Sequence, residues 1–337
     1  MLFLCSLRSI ITHNFFVLLL LSLREERKND AVFARASLLP CLYEHSQGYF
    51  QCTVEKTPMG KRKLLVYYFK NLLSYRRALA YQRIVQRHQF AHVGSENAGD
   101  SSCDTLFLLQ HPSIYTLGRR SKLDNLKFDH AECENGKKDG NNFDIIRVER
   151  GGEVTWHGPG QLVGYPIFDL TKHKKDLHWF LRNIEQCVIN ALGTYGAICS
   201  RDDAGTGVWV GDSKIAAIGL SASKWITMHG FSINVHPDLK FFENIVPCGI
   251  ENKSVTSLDK LMLEGVIPRN ENHNTVFGIS EIVSHEFSKV FNLELDFIEI
   301  DHLEEVHFLL GLNEDDISLV DNESSIESFS IVRNIPR

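Results

Sequence analysis

Two side chains in this sequence have the types needed for a nucleophile and its activator. Cys248 lies in Ile245-Val-Pro-Cys248-Gly-Ile250, held between proline and glycine. A turn of that kind constrains the backbone and exposes the side chain, although judged alone the residue would equally serve as a small buried filler. Lys214 heads an apolar run, Ile215-Ala-Ala-Ile-Gly219, where an unpartnered lysine is rarely buried. The alternative is a strand-end lysine whose stem lies on the sheet and whose amine reaches water. A free thiol titrates near ~8.5. An ammonium about 4 Å away contributes up to about 4 kcal/mol at an effective ε near ~20. That limit is roughly three pKa units before desolvation takes its share. A net fall of ~1.5 units would make the thiol about half thiolate near neutrality, so a lysine-cysteine pair is sufficient to make a nucleophile.

A third constellation is the glycine-dense stretch Arg150-Gly-Gly-Glu-Val-Thr-Trp-His157-Gly-Pro-Gly160-Gln. Glycines let a backbone approach a ligand closely, and an arginine, a threonine and a histidine lie among them. The order is neither that of a phosphate-binding P-loop nor that of a dinucleotide fingerprint. A tight double turn without a ligand is the competing reading.

The elements that must position these residues follow from periodicity. Leu64–Phe69, Thr105–Leu109, Ile114–Leu117, Asp144–Val148 and Leu162–Leu170 read as strands, the first as an edge strand. Gly207–Val210 and Lys214–Gly219 read as a hairpin turned at Gly211-Asp212-Ser213, and Trp225–Val235 is a strand containing Gly230. Leu72–Arg87, Leu177–Leu192 and Val276–Leu293 have helical spacing. The polar run Glu134–Asn142 reads as a solvated insertion. This is an α+β layout with helices packed on a mixed central sheet, without the strict strand-helix alternation of a doubly wound fold.

Composition narrows the function classes. The 337 residues carry a formal net charge of -6, which gives no basic footprint for nucleic acid. The eight cysteines form no C-x-x-C pair, so a disulfide framework is not expected, and Cys187 and Cys199 read as inert core thiols. Residues 1–60 read as a leader: no acid precedes Arg24, and the apolar run Phe15–Leu23 falls short of the roughly 20 residues of a membrane span. From about Asp301 to Arg337 the chain reads as an acidic tail, leaving a catalytic domain over 64–295.

Taken together, these blocks resemble the lipoyl(octanoyl) transferase family of the biotin/lipoyl protein ligase superfamily. The resemblance runs through Arg150–Leu170, Gly207–Gly219, Thr227–Val235 and Phe242–Ile250, in order and at family spacing, with a weaker match at Gln110–Arg119. It implies the biotin/lipoyl protein ligase catalytic fold. It also implies that Cys248 carries the acyl thioester and that Lys214 lowers the thiol's pKa. The acyl pocket would be lined by Arg150, Gly151, Gly152, Glu153, Val154, Thr155, Trp156 and His157, by Ala217, Ile218 and Gly219, and by Gly230, Phe231 and Ser232. No cofactor or metal is implied. The donor would be octanoyl-acyl carrier protein. The acceptors would be lipoyl domains of 2-oxoacid dehydrogenase E2 subunits and the glycine cleavage H protein. Lys214, or else His157, would take the proton of the acceptor lysine.

Other readings share the fold: an ATP-dependent lipoate-protein ligase, or an octanoyl amidotransferase. A catalytically silent lipoyl-domain-binding protein is the non-enzyme alternative. Stable membrane insertion is not expected. The leader and the reactions of lipoyl-dependent dehydrogenases together point to the mitochondrion, with a plastid-type organelle as the alternative.

Overall fold

The computed structural model describes residues 61–92, 103–127, 137–138, 141–142, 144–202, 205–245, 254–268 and 275–321. The leader, Cys248 and the end of the acidic tail therefore lie outside the described residues.

In chain order the strands are β1 (Lys63–Phe69), β2 (Asp104–Leu109), β3 (Ile114–Leu117), β4 (Lys137–Lys138), β5 (Asn141–Asn142), β6 (Asp144–Arg147), β7 (Val154–His157) and β8 (Gln161–Ile167). Then come β9 (Ser200–Asp202), β10 (Gly205–Val210), β11 (Ser213–Ser223), β12 (Ile226–Asn234), β13 (Ser254–Val255) and β14 (Glu294–Ile300). Among the described residues, nine strands form one mixed sheet in the order β14-β1-β2-β8-β12-β11-β10-β9, with β13 beside β11. β14, β1 and β2 run parallel, and from β2 through β8 to β9 the pairs are antiparallel. A small sheet, β6-β3-β7, carries the glycine-dense segment. β4 and β5 form a short ladder inside the polar insertion.

Alternation along β1 and β2 divides the core. Leu64, Val66, Leu106 and Leu108 face one side, and Tyr67, Phe69, Phe107 and Leu109 the other. The first side is covered by α2 (Leu177–Gly193) and α5 (Val276–Phe291), between which in the chain come the short helices α3 (Lys240–Glu243) and α4 (Leu258–Leu263). Asp176 caps α2 by accepting from the Trp179 amide, and the stripe Phe180, Ile184, Val188 and Leu192 is buried. Thr275 caps α5 at its start, and Asn292 ends it in the left-handed conformation at φ 53°. The second side is covered by α1 (Tyr75–His92), which buries Ala78, Leu79 and Ile84.

Three expectations need correction. β1 is not an edge strand, because β14 pairs outside it in register from Lys63↔Glu294 to Phe69↔Ile300. Leu72 precedes α1 and is half exposed, so it does not join that helix's buried face. Residues from 301 to 321 form α6 (Leu303–Leu309) and α7 (Glu314–Asp321), which bury Val306 and Val320 in the second core layer. Acidic surface and packed interior coexist there. Among the described residues, no helix is long and apolar enough to cross a membrane.

Candidate active site

Lys214 owes its position to an irregularity in the sheet. β10 and β11 pair as Val208↔Ala216 and then Trp209↔Lys214, so Ile215 is an extra residue in β11. Past that bulge, Ala216, Ile218 and Leu220 face the helix layer with Val208. In an unbroken strand, strict alternation would send Lys214 to the same side. The extra residue reverses the phase and turns Lys214 to the opposite face beside Trp209, a recognised use of bulges near active sites. There its amine lies 4.7 Å from the indole centroid and donates to the Thr206 carbonyl at 3.0 Å. The residue is 7% exposed, so the reading of a lysine that merely snorkels to water does not hold.

Lys214 lines a cavity of about 510 Å³, within the size range of small-molecule sites. Arg150, Gly151, Gly152, Glu153, Val154, Thr155 and His157 line it from the glycine-dense segment, Ala217, Ile218 and Gly219 from β11, and Gly230, Phe231 and Ser232 from β12. The registers Ala217↔Ser232 and Gly219↔Gly230 put the last two groups side by side. Trp156 is the exception. It is fully buried behind the cavity, stacked on Phe241 at 4.8 Å, and its indole N–H donates to Ser113 Oγ at 2.8 Å.

Arg150 is buried and tied down. Its guanidinium donates to the Thr116 carbonyl at 2.6 Å, to Thr116 Oγ1 at 2.8 and 3.2 Å and to the Gly151 carbonyl at 3.1 Å. Gly151 in turn donates to the Leu220 carbonyl at 2.9 Å, locking the glycine-dense segment to β11. Gly152 takes φ 86°, the positive region that favours glycine.

His157 donates from Nδ1 to Gln161 Oε1 at 2.7 Å. The Gln161 amide donates to Asn234 Oδ1 at 2.8 Å, and Asn234 donates to the Thr256 carbonyl at 3.0 Å. Thr256 N–H closes on the Lys214 carbonyl at 3.0 Å. A buried polar chain thus runs from His157 to the backbone of Lys214. Burial, with His111 and Arg150 nearby, pushes His157 down to about 3, so it stays neutral and is a weak proton acceptor. His111 is lowered to about 4, chiefly by burial. The Leu73 carbonyl only accepts, so the proton sits on Nδ1, and Nε2 takes the Tyr165 hydroxyl at 2.8 Å.

Gln161, Asn234, Thr206 and Tyr75 belong to this environment but were not foreseen. Gln161 and Asn234 do lie inside the motif blocks, and a polar residue within an otherwise apolar strand is the signal that marks them. His229 also lines the cavity. It has φ 58° in mid-strand, and its amide donates to Gln82 Oε1 at 2.8 Å. Cys187 and Cys199 are core thiols with pKa values raised by burial, the latter to about 11.

The segment containing Cys248 lies outside the described residues, but its flanks do not. Phe242, six positions before it, and Val255, seven after, both line the cavity. Val255 pairs directly with Lys214.

Residues 74–271 match the lipoyl protein ligase A/B catalytic domain family. An octanoyltransferase of Nostoc sp. is 44% identical over 228 residues, covering 68% of this chain and 92% of its own. A chloroplastic octanoyltransferase of Arabidopsis thaliana is 42% identical over 235 residues, covering 68% and 78%. Among solved structures, lipoate-protein ligase A bound with ATP superposes with a TM-score of 0.56 at 17% identity, over 80% of this chain and 98% of that one. A bi-partite lipoate protein ligase from Thermoplasma acidophilum gives 0.54 at 17% identity, over 82% and 98%. These two likenesses show the fold. The expected α+β ligase-like architecture is therefore the one observed, and the chain belongs to the lipoyl protein ligase A/B catalytic domain family, within its octanoyltransferases.

Proposed function

We propose that this chain transfers an octanoyl group to a lysine of a lipoyl domain through a thioester on Cys248. The observation that carries the reading is the placement of Lys214 in a cavity bracketed by Phe242 and Val255, the flanks of the Pro-Cys-Gly turn. Seven residues of extended chain reach at most about 25 Å, so a tether of this length permits the cysteine to approach the amine.

The reaction has two halves. The Cys248 thiolate attacks the thioester carbonyl of octanoyl-phosphopantetheine on acyl carrier protein. The new C–S bond forms, the bond to pantetheine breaks, and the departing thiolate takes a proton from the Lys214 ammonium. The acceptor lysine, having lost one proton to water, then attacks the Cys248 thioester. An amide forms, the C–S bond breaks, and the neutral Lys214 amine takes the remaining proton, restoring the ion pair. Lys214 suits this role better than His157, whose low basicity opposes proton capture. The acyl chain would rest against the segments at Arg150–His157, Ala217–Gly219 and Gly230–Ser232, with Trp156 supporting the wall from behind.

The acceptors are lipoyl domains of 2-oxoacid dehydrogenase E2 subunits and the glycine cleavage H protein. The two relatives described above are an octanoyltransferase of Nostoc sp. and a chloroplastic one of Arabidopsis thaliana, and the second favours a plastid-type organelle. The mitochondrial expectation finds no support in them and is withdrawn.

Incubation with octanoyl-acyl carrier protein followed by intact mass measurement tests the reading. Wild type should gain one octanoyl group, pass it to a lipoyl domain without ATP, and lose both abilities in Cys248→Ala. Transfer at the wild-type rate by Cys248→Ala would end the covalent mechanism, and an absolute requirement for ATP would turn the assignment toward a ligase.

A further inference from the structure

Five positions along β11 from Lys214, the wall of the cavity is not apolar. An ideal Cβ placed on Gly219 would lie 3.1 Å from Arg150 Cδ and 2.9 Å from the Gly151 carbonyl oxygen. The Arg150 side chain therefore crosses β11 at Gly219, and its four hydrogen bonds to Thr116 and Gly151 hold it there. Between Lys214 and this crossing, the cavity face of β11 is Ala217, paired with Ser232. Resting on the acyl-transfer reading above, we propose that Arg150 is the end stop of the acyl pocket and sets the chain length the enzyme accepts.

The dimensions support this. With one bulge among the five steps from Lys214 to Gly219, the strand advances about 13 Å. An extended eight-carbon acyl chain, built from C–C bonds of about 1.5 Å, spans about 9 Å from carbonyl to methyl. The eight-carbon chain is thus shorter than the run of strand between the two positions, whereas a twelve-carbon chain, at about 14 Å, is longer. A chain four carbons longer would drive its methyl end into the guanidinium and strip hydrogen bonds from a buried cation, an unfavourable exchange. Chains shorter than eight carbons leave apolar wall uncovered, and each missing methylene costs about fourfold in binding.

The test uses acyl-carrier protein thioesters of six to fourteen carbons with a lipoyl domain as acceptor. Binding of the corresponding free fatty acids is measured in parallel on the full chain. Wild type should peak at eight carbons in both measurements. Arg150→Ala should move the optimum to ten or twelve carbons, changing the ratio of twelve- to eight-carbon substrate by about tenfold or more. Ala217→Leu, which leaves Arg150 in place, should move the optimum to six carbons and remains decisive where Arg150→Ala does not fold. A folded Arg150→Ala with an unchanged length profile, or an Ala217→Leu variant that loses all lengths equally, would overturn the proposal. Absence of transfer at every length with fatty-acid binding still peaked at eight carbons would instead refute the reaction and leave the length stop standing.

Discussion

Lys214 and Trp209 face each other directly across β10 and β11, with the amine 4.7 Å from the indole centroid. The pairing exists because Ile215 bulges and resets the alternation of β11. The indole does more than fill space: its π-face favours the ammonium and, with the Thr206 carbonyl, fixes where the charge sits. Trp209→Leu should therefore slow acyl transfer about fivefold per folded molecule, from the loss of about 1 kcal/mol of cation–π attraction. Trp209→Phe should recover most of the rate. Single-turnover kinetics on protein corrected for its folded fraction checks this, and equal rates in the Leu and Phe variants would show that the ring has no electrostatic role.

Acid sensitivity follows from His157 and His111, lowered to about 3 and about 4 by burial. In the unfolded chain both titrate near ~6.5. Above that pH they are neutral in both states and contribute no pH dependence. As pH falls below it, the unfolded chain binds protons that the folded chain refuses, so stability declines until the folded values are reached. Each histidine should contribute a slope on the order of 1 kcal/mol per pH unit between about pH 6 and 4. Denaturant titrations at pH 7, 6, 5 and 4.5 measure it. His111→Gln should flatten the profile relative to wild type, and an unchanged profile would mean that the ring is already protonated in the fold.

Much of this arrangement is legible in the sequence, for identifiable reasons. The β10–β11 hairpin was marked by Gly211-Asp212-Ser213 between apolar runs, and α2 by a stripe of apolar residues at helical spacing. The cavity residues lie in motif blocks whose types are chemically distinctive. What was hidden depended on distant partners. β14 has the short sequence Glu-Leu-Asp-Phe-Ile-Glu-Ile, and only its parallel pairing with β1, more than 200 residues away, makes it a strand. The bulge at Ile215 leaves no trace in residue type. Trp156 sits inside a ligand-lining block yet does not line the cavity, because its ring is taken up by packing against Phe241 and Phe242.

Two glycines of the same conformational region should respond differently to alanine. Gly160 has φ 83°, and an added Cβ would lie 2.5 Å from the His236 carbonyl oxygen. Gly211, at φ 57° in the hairpin turn, would meet nothing within 4 Å. Gly211→Ala should cost only the left-handed backbone penalty of about 1 kcal/mol. Gly160→Ala adds displacement of backbone beside the Gln161–Asn234 bond and should cost about 3 kcal/mol, with a loss of transfer activity. Chemical denaturation of the two variants side by side separates strain from collision, and equal losses would remove the steric argument.

The acidic C-terminal region offers a test of packing against charge. Residues 314–321 begin Glu-Asp-Asp, the composition of a solvated helix, yet Val320 is fully buried and Asp316 is 3% exposed in an ion pair with Arg87 of α1. Val306 and Leu310 insert into the same layer against α1 and β14. A tail held only by charge would detach in salt, because exposed ion pairs are worth little and are screened. A tail held by buried valines would not. Val320→Asp should destabilise the protein by on the order of 3 kcal/mol, since it places a carboxylate in an apolar layer. Deleting residues 301–337 should lower the unfolding midpoint in both low and high salt. Neither change touches the cavity lining, so transfer per folded molecule should stay at the wild-type value. A truncated protein with an unchanged midpoint, or a midpoint difference that vanishes in 1 M salt (where the screening length is about 3 Å), would show that α6 and α7 contribute no core.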